Sequence, residues 1–163
     1  MSKITDVTRA AVVAGLVAGT IDIGAAAAIN HVGPALILQG IASGLLGLKS
    51  YAGGAGSVAL GLALQLAMSI VIAGIYALAA TRLAWLVSRP VLAGLAFGIG
   101  VFVVMNMVVV PLSAFAPRPA HVSLLWLLLN VLAMLVFGVL VALVVRRALS
   151  REGQSGRMVD RMS

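Results

Sequence analysis

An all-α membrane protein, built as a four-transmembrane-helix bundle with one extra short helix on the outer side, is the fold class this sequence predicts. Three observations predict it. Of the residues, 63% are hydrophobic and 9% charged, at a mean hydropathy of +1.19, far outside soluble-globular usage. Four apolar segments each reach the about 20 residues, at about 1.5 Å of rise apiece, that a helix needs to cross the hydrocarbon core. The 11 Lys and Arg gather at the segment ends, where water and headgroups solvate them. The four segments absorb most of the 163 residues, so residues 1–147 read as a single transmembrane domain with no room for a soluble one.

The first span covers residues 10–29 and follows Lys3 and Arg9. A signal peptide also starts basic, but its apolar stretch is usually shorter and would not carry Asp22, so the segment is read as a retained helix. Residues 34–48, PALILQGIASGLLGL, are too few to span and read as an interfacial or a re-entrant helix. Pro34 suits a first helical turn, and Gly53-Gly54 supplies a flexible return. An interfacial helix would lie on the outer surface of the bundle. A re-entrant plug would aim Gln39 or Ser43 inward and would need a cavity beneath it. The second, third and fourth spans are read at residues 57–79, 91–113 and 122–145, and residues 148–163 as a polar cytoplasmic tail that frays.

Cytoplasmic loops carry the excess of Lys and Arg. Lys3, Arg9, Arg82, Arg89, Arg146, Arg147, Arg151, Arg157 and Arg161 fall on one side of the alternating spans, and Lys49 and Arg118 on the other. Both termini are therefore expected in the cytoplasm. Trp85, Tyr76, Tyr51 and Trp126 fall near the expected interfaces, where aromatic belts form. The same distribution explains the net charge of +7 without nucleic acid, for which no recognition module is present. With no Cys there is no disulfide or thiolate site.

Asp22 is the one charged residue between positions 10 and 29. On insertion scales an Asp near a helix centre costs roughly 2.5–3.5 kcal/mol, so its face should turn into protein or a wet cavity. Counting residues from the outer end of each span puts Asp22, Gln65, Asn106 and Asn130 at a common depth of roughly 10–12 Å. One polar side chain per helix at one level suits either interhelical hydrogen bonding or a small-solute site. Gly15 and Gly19, and again Gly94 and Gly98, stand four apart, the spacing at which helices approach closely. The strings AGLVAG and AGLAFG around them hint at a parallel duplication of a two-helix unit, with Asp22 aligned to Val101. His31 and His121 both lie on the outer side without a third ligand, so no metal and no cofactor is expected. None of the Gly-x-Ser-x-Gly, His-Glu-x-x-His, Walker A or Rossmann patterns occurs, and the chain is read as not an enzyme.

Gly19-Thr20-Ile21-Asp22, Ile41-Ala42-Ser43-Gly44-Leu45-Leu46-Gly47, Gly53-Gly54, Leu60-Gly61-Leu62-Ala63-Leu64-Gln65 and Met105-Asn106 followed by Val110-Pro111-Leu112-Ser113 together resemble the small bacterial inner-membrane proteins grouped with YagU. The resemblance implies a bacterial plasma-membrane protein of a largely uncharacterised group, with involvement in acid resistance for its namesake. The group is associated with a histidine where this chain has Gln65, and an amide does not titrate near neutral pH.

The sequence therefore predicts a structural or accessory membrane component linked to acid-stress resistance, with membrane lipid and a second copy or a larger membrane complex as partners. The alternative is a small-solute or proton-linked transport or binding protein that uses the polar layer around Asp22. The orientation can be checked directly, because the chain offers no cysteine of its own. In Ala52→Cys and Ser155→Cys variants, an impermeant thiol reagent applied to intact cells should label position 52 and leave position 155 unlabelled; the reverse pattern would invert the topology.

Overall fold

The computed structural model describes residues 3–114 and 123–160, and within them the chain is helical throughout. Arg118, His121 and the start of the expected fourth span at Val122 lie outside the described residues. Helix α1 spans Lys3–Asn30, α2 Pro34–Leu46, and a 3-10 stretch Gly47–Ala52 leads to α3 at Gly54–Arg82. A short α4, Ala84–Ser88, precedes α5 at Pro90–Val104. A π-helical turn, Met105–Val109, then joins α5 to the short α6, Val110–Leu112, and α7 runs Leu124–Asp160.

Among the described residues, five helical stretches are long and apolar enough to cross a membrane: Ile4–Asn30, Pro34–Ala52, Gly54–Arg82, Pro90–Leu112 and Leu124–Ser150. The additional one is the expected short helix at residues 34–48, extended by the 3-10 stretch to 19 residues. The 3-10 stretch carries helical backbone on to Ala52, because Gly47 bends the chain without ending it. Gly47 adopts a φ of 60°, a left-handed value that a side chain disfavours. Helix α7 continues to Asp160, since an established helix gains about one hydrogen bond per residue added and Ala148, Leu149, Arg151 and Glu152 are strong helix formers.

Helix ends follow local chemistry. At the end of α1 the Val32 N–H donates to the Ala27 carbonyl at 3.1 Å and the His31 N–H to Ala28 at 3.3 Å, the two bonds of a Schellman cap. His31 takes the left-handed position, with φ at 54°, that glycine fills elsewhere. This candidate metal ligand therefore has a capping role. The π turn answers Pro111, which has no N–H for the carbonyl four residues back and whose ring would strike it. One widened turn, closed by the Val110 N–H on the Met105 carbonyl, opens room for the ring.

Glycine sets how the rods meet. A Cβ on Gly15 would stand 2.5 Å from Ile70 Cα, and one on Gly94 2.6 Å from Val139 Cα. Gly19 faces Leu66 and Ser69, Gly74 faces Ala11, and Gly98 faces Met134 and Leu135. In each pair, rising numbers on one helix meet falling numbers on the other, so α1 and α3 are antiparallel, as are α5 and α7. Two glycines that the four-residue pattern missed do the same: Gly138 packs on the Gly94 and Gly98 backbone, and Gly61 on the Leu38 carbonyl of α2. Helix α1 also packs along α7, and the Trp126 indole N–H donates to the Asn30 side chain at 3.1 Å.

Because α3 runs back along α1, the intervening α2 must return the chain to the end from which it left. Its backbone is tied to the far rod as well, through the Ala114 N–H on the Gly44 carbonyl at 2.9 Å. Ser43 is buried and spends its hydroxyl on the Gly40 carbonyl. The core lies toward the other end, where Ala14, Ala73, Ala77, Ala93 and Val141 surround Phe137 and Tyr76. Tyr76 is 2% exposed, which corrects its reading as an interface aromatic. Its hydroxyl donates to the Leu86 carbonyl at 3.1 Å, and its ring meets Phe97 edge-on at 5.0 Å.

Adding one methyl group at these contacts should open the bundle. Gly94→Ala is expected to cost about 1–3 kcal/mol, the usual range for overpacking, since its Cβ would meet backbone that cannot rotate away. Gly100→Ala has open space around it and should be silent. Thermal unfolding of both variants in detergent checks this, and equal melting temperatures would refute it.

Candidate functional site

Four helices contribute to one small space at the level of Asp22. Asp22 comes from α1, Gln65 and Met68 from α3, Met105 from the π turn, and Met134 and Phe137 from α7; together with their neighbours they line a cavity of about 30 Å³. That volume accommodates a water molecule or a bare ion and nothing larger. The Gln65 amide donates to Asp22 Oδ2 at 2.8 Å and so links α1 to α3. Gly19 explains how the pair meets. It lies three residues before Asp22, and its tight contact with Leu66 and Ser69 brings the next turn of each helix within reach.

The other two members of the expected layer turn elsewhere. Asn106 donates to the Phe102 carbonyl at 2.8 Å and Asn130 to the Trp126 carbonyl at 2.8 Å, each on its own helix, and neither lines the cavity. For Asn106 the π turn contributes, because it rotates the residue away from the register that a regular helix would hold.

Asp22 also borders a second space. A groove of about 250 Å³ runs between α1 and α7 from Ile29 and Leu129, near the Asn30–Trp126 bond, down to Asp22 and Val136. Apart from Asp22, every residue lining it is apolar, and the surface of the groove is hydrocarbon-like. Two spaces thus border Asp22, a small one inside the bundle and a larger one along its flank.

The paired glycines also give the site an internal equivalence. Asp22 stands three residues beyond Gly19 as Val101 stands three beyond Gly98. Gln65 precedes Leu66, beside Gly19, as Met134 precedes Leu135, beside Gly98. All four line the same cavity, which therefore lies where the two helix pairs face one another. No protein-family model matches the chain, and no curated protein or solved structure is similar to it.

Among the described residues no group of three His, Cys, Asp or Glu converges, and Asp22 has no titratable neighbour in the cavity. What the arrangement can do is hold a hydrogen-bond donor or a single positive charge at Asp22. The pair also ties α1 to α3. Asp22→Leu should destabilise the bundle by about 1–3 kcal/mol by leaving the Gln65 amide without its partner, whereas Asp22→Asn retains an acceptor. Leucine at both 22 and 65 should recover most of the loss, because two apolar groups replace the bond. Unfolding of the parent, Asp22→Leu, Gln65→Leu and the double leucine variant as a double-mutant cycle measures this, and strictly additive losses would refute the coupling.

Proposed function

We propose that this chain is a non-enzymatic, multi-pass protein of a bacterial plasma membrane that binds a small solute or a cation at Asp22, in proton-linked transport or sequestration. The observation that carries the reading is that the cavity and the groove both border one residue, Asp22. A group that served only to bond α1 to α3 needs no open space on either side. The groove leads toward the outer ends of α1 and α7 and provides a route by which a solute could reach Asp22.

Four crossings are the topology that fits this reading. The antiparallel order of α1, α3, the Pro90–Leu112 rod and α7 accounts for them, with α2 and its 3-10 extension returning on the outer side. The bias of Lys and Arg supports cytoplasmic termini. Involvement in acid resistance rests on the strings shared with the YagU-like group.

A structural or accessory role is the competing reading, and the Asp22–Gln65 hydrogen bond favours it. Against it, the glycine faces that would dock a partner are already used inside the chain, with Gly15 and Gly19 against α3 and Gly94 and Gly98 against α7.

The test is Asp22→Asn, which keeps size and hydrogen bonding while removing the titratable group. The variant should insert and fold as the parent does, yet lose acid survival in producing cells and proton uptake in pyranine-loaded proteoliposomes. A folded Asp22→Asn protein with parental behaviour in both assays would overturn the binding reading and leave the structural one.

A further inference from the structure

The cavity beside Asp22 is lined by three methionines from three helical segments. Met68 reaches it from α3, Met105 from the π turn and Met134 from α7. The apolar rods hold one further methionine, Met107, which is 73% exposed and lies elsewhere. Methionine often fills irregular gaps in cores, but a side chain that only fills a gap closes it. Here three of them border a space left open, with a carboxyl group and an amide on its rim.

We propose that Met68, Met105 and Met134, with Asp22, form an intramembrane site for a soft monovalent metal ion, Cu(I) or its analogue Ag(I). The assignment rests on the reading of Asp22 as a binding group and names the class of ligand it takes. Thioether sulfur is a soft, polarisable donor that selects Cu(I) over harder ions. Zinc favours thiolate, imidazole or carboxylate donors, and calcium and magnesium favour oxygen; the cavity supplies neither a thiolate nor an imidazole, and one carboxyl group.

Charge points the same way. One carboxylate against one positive charge leaves the loaded site neutral, which matters where a net charge is expensive. A divalent ion would leave a surplus. At about 30 Å³ the space admits one bare ion and excludes a hydrated one or an organic cation. The π turn adds a geometric reason, since such widened turns recur at functional sites and this one holds Met105 itself. The three positions have no common spacing in the sequence, so the set becomes visible only when the helices are packed.

Competition for Cu(I) held by bicinchoninate, under nitrogen with ascorbate and with the full chain in nanodiscs, tests the proposal. The parent protein should withdraw about one equivalent, as a single thioether-rich site would. Met68→Leu, Met105→Leu and Met134→Leu, which conserve volume, should each weaken binding by about ten- to a hundredfold, the scale on which metal sites respond to lost support. Met107→Leu should bind as the parent does, and circular dichroism should report equal helicity throughout. If one of these variants misfolds, the other two decide the matter. Parent protein that leaves the chromophoric complex intact, or folded leucine variants that compete as well as the parent, would overturn the metal assignment. Should that happen while the Asp22→Asn phenotypes persist, the metal assignment falls and the Asp22 solute site stands.

Discussion

Everything in this bundle depends on backbones approaching at glycine. Lipid tails are as apolar as the side chains that face them, so no hydrophobic gain draws helices together inside a membrane, and close packing must do so instead. Gly15 and Gly19 seat α1 on α3, Gly94 and Gly98 seat α5 on α7, and Gly138 completes the second pair from the opposite helix. These contacts fix the separation and register of each pair. The Asp22–Gln65 bond at 2.8 Å follows from Gly19 one turn away. The size of the neighbouring cavity follows from two tight pairs being set face to face.

The two pairs are alike in backbone and unlike in side chains. Where the first presents Asp22 and Gln65 to the shared cavity, the second presents Val101 and Met134 at the corresponding positions. A fully polar layer would have demanded partners for every group, and each unsatisfied one in hydrocarbon is costly. Confining the hydrogen-bonded pair to one half lets the other contribute apolar and thioether surface. Asn106 and Asn130 each bond a carbonyl of their own helix, so part of each amide's demand is met locally.

Much of this was legible in the sequence, and what escaped did so for identifiable reasons. Hydrophobic runs located the long helices because length and polarity are the whole of that constraint, and charged ends such as Lys3 and Arg82 were simply carried out of the apolar window on continuing helix. Counting depth brought Asp22 to the level of Gln65, because alternating helix direction makes depth additive along the chain. Rotation about the helix axis is not additive in that way, so Asn106, in the π turn, and Asn130 could not be separated from the pair. Gly61 and Gly138 stand without a glycine four residues away, and a lone glycine reveals its use only against a partner. Tyr76 reads as an interface aromatic by position, and its burial depends on Phe97 and the Leu86 carbonyl arriving from elsewhere.

The placement of α2 bears on how anything could reach Asp22. Its backbone lies on α3 at Gly61 and bonds Ala114 at the end of the third rod, so it covers the α3 side of the end where α1 finishes. On the α1–α7 side, among the described residues, the Asn30–Trp126 bond lies across the mouth. The apolar groove runs along that side to Asp22. A bond between two side chains at least partly exposed to their surroundings contributes about 0.5–1.5 kcal/mol at most, far less than the helix packing around the glycines. The Asn30–Trp126 bond at the mouth of the groove is therefore a weaker tie than the glycine contacts that hold the helix pairs together around the cavity.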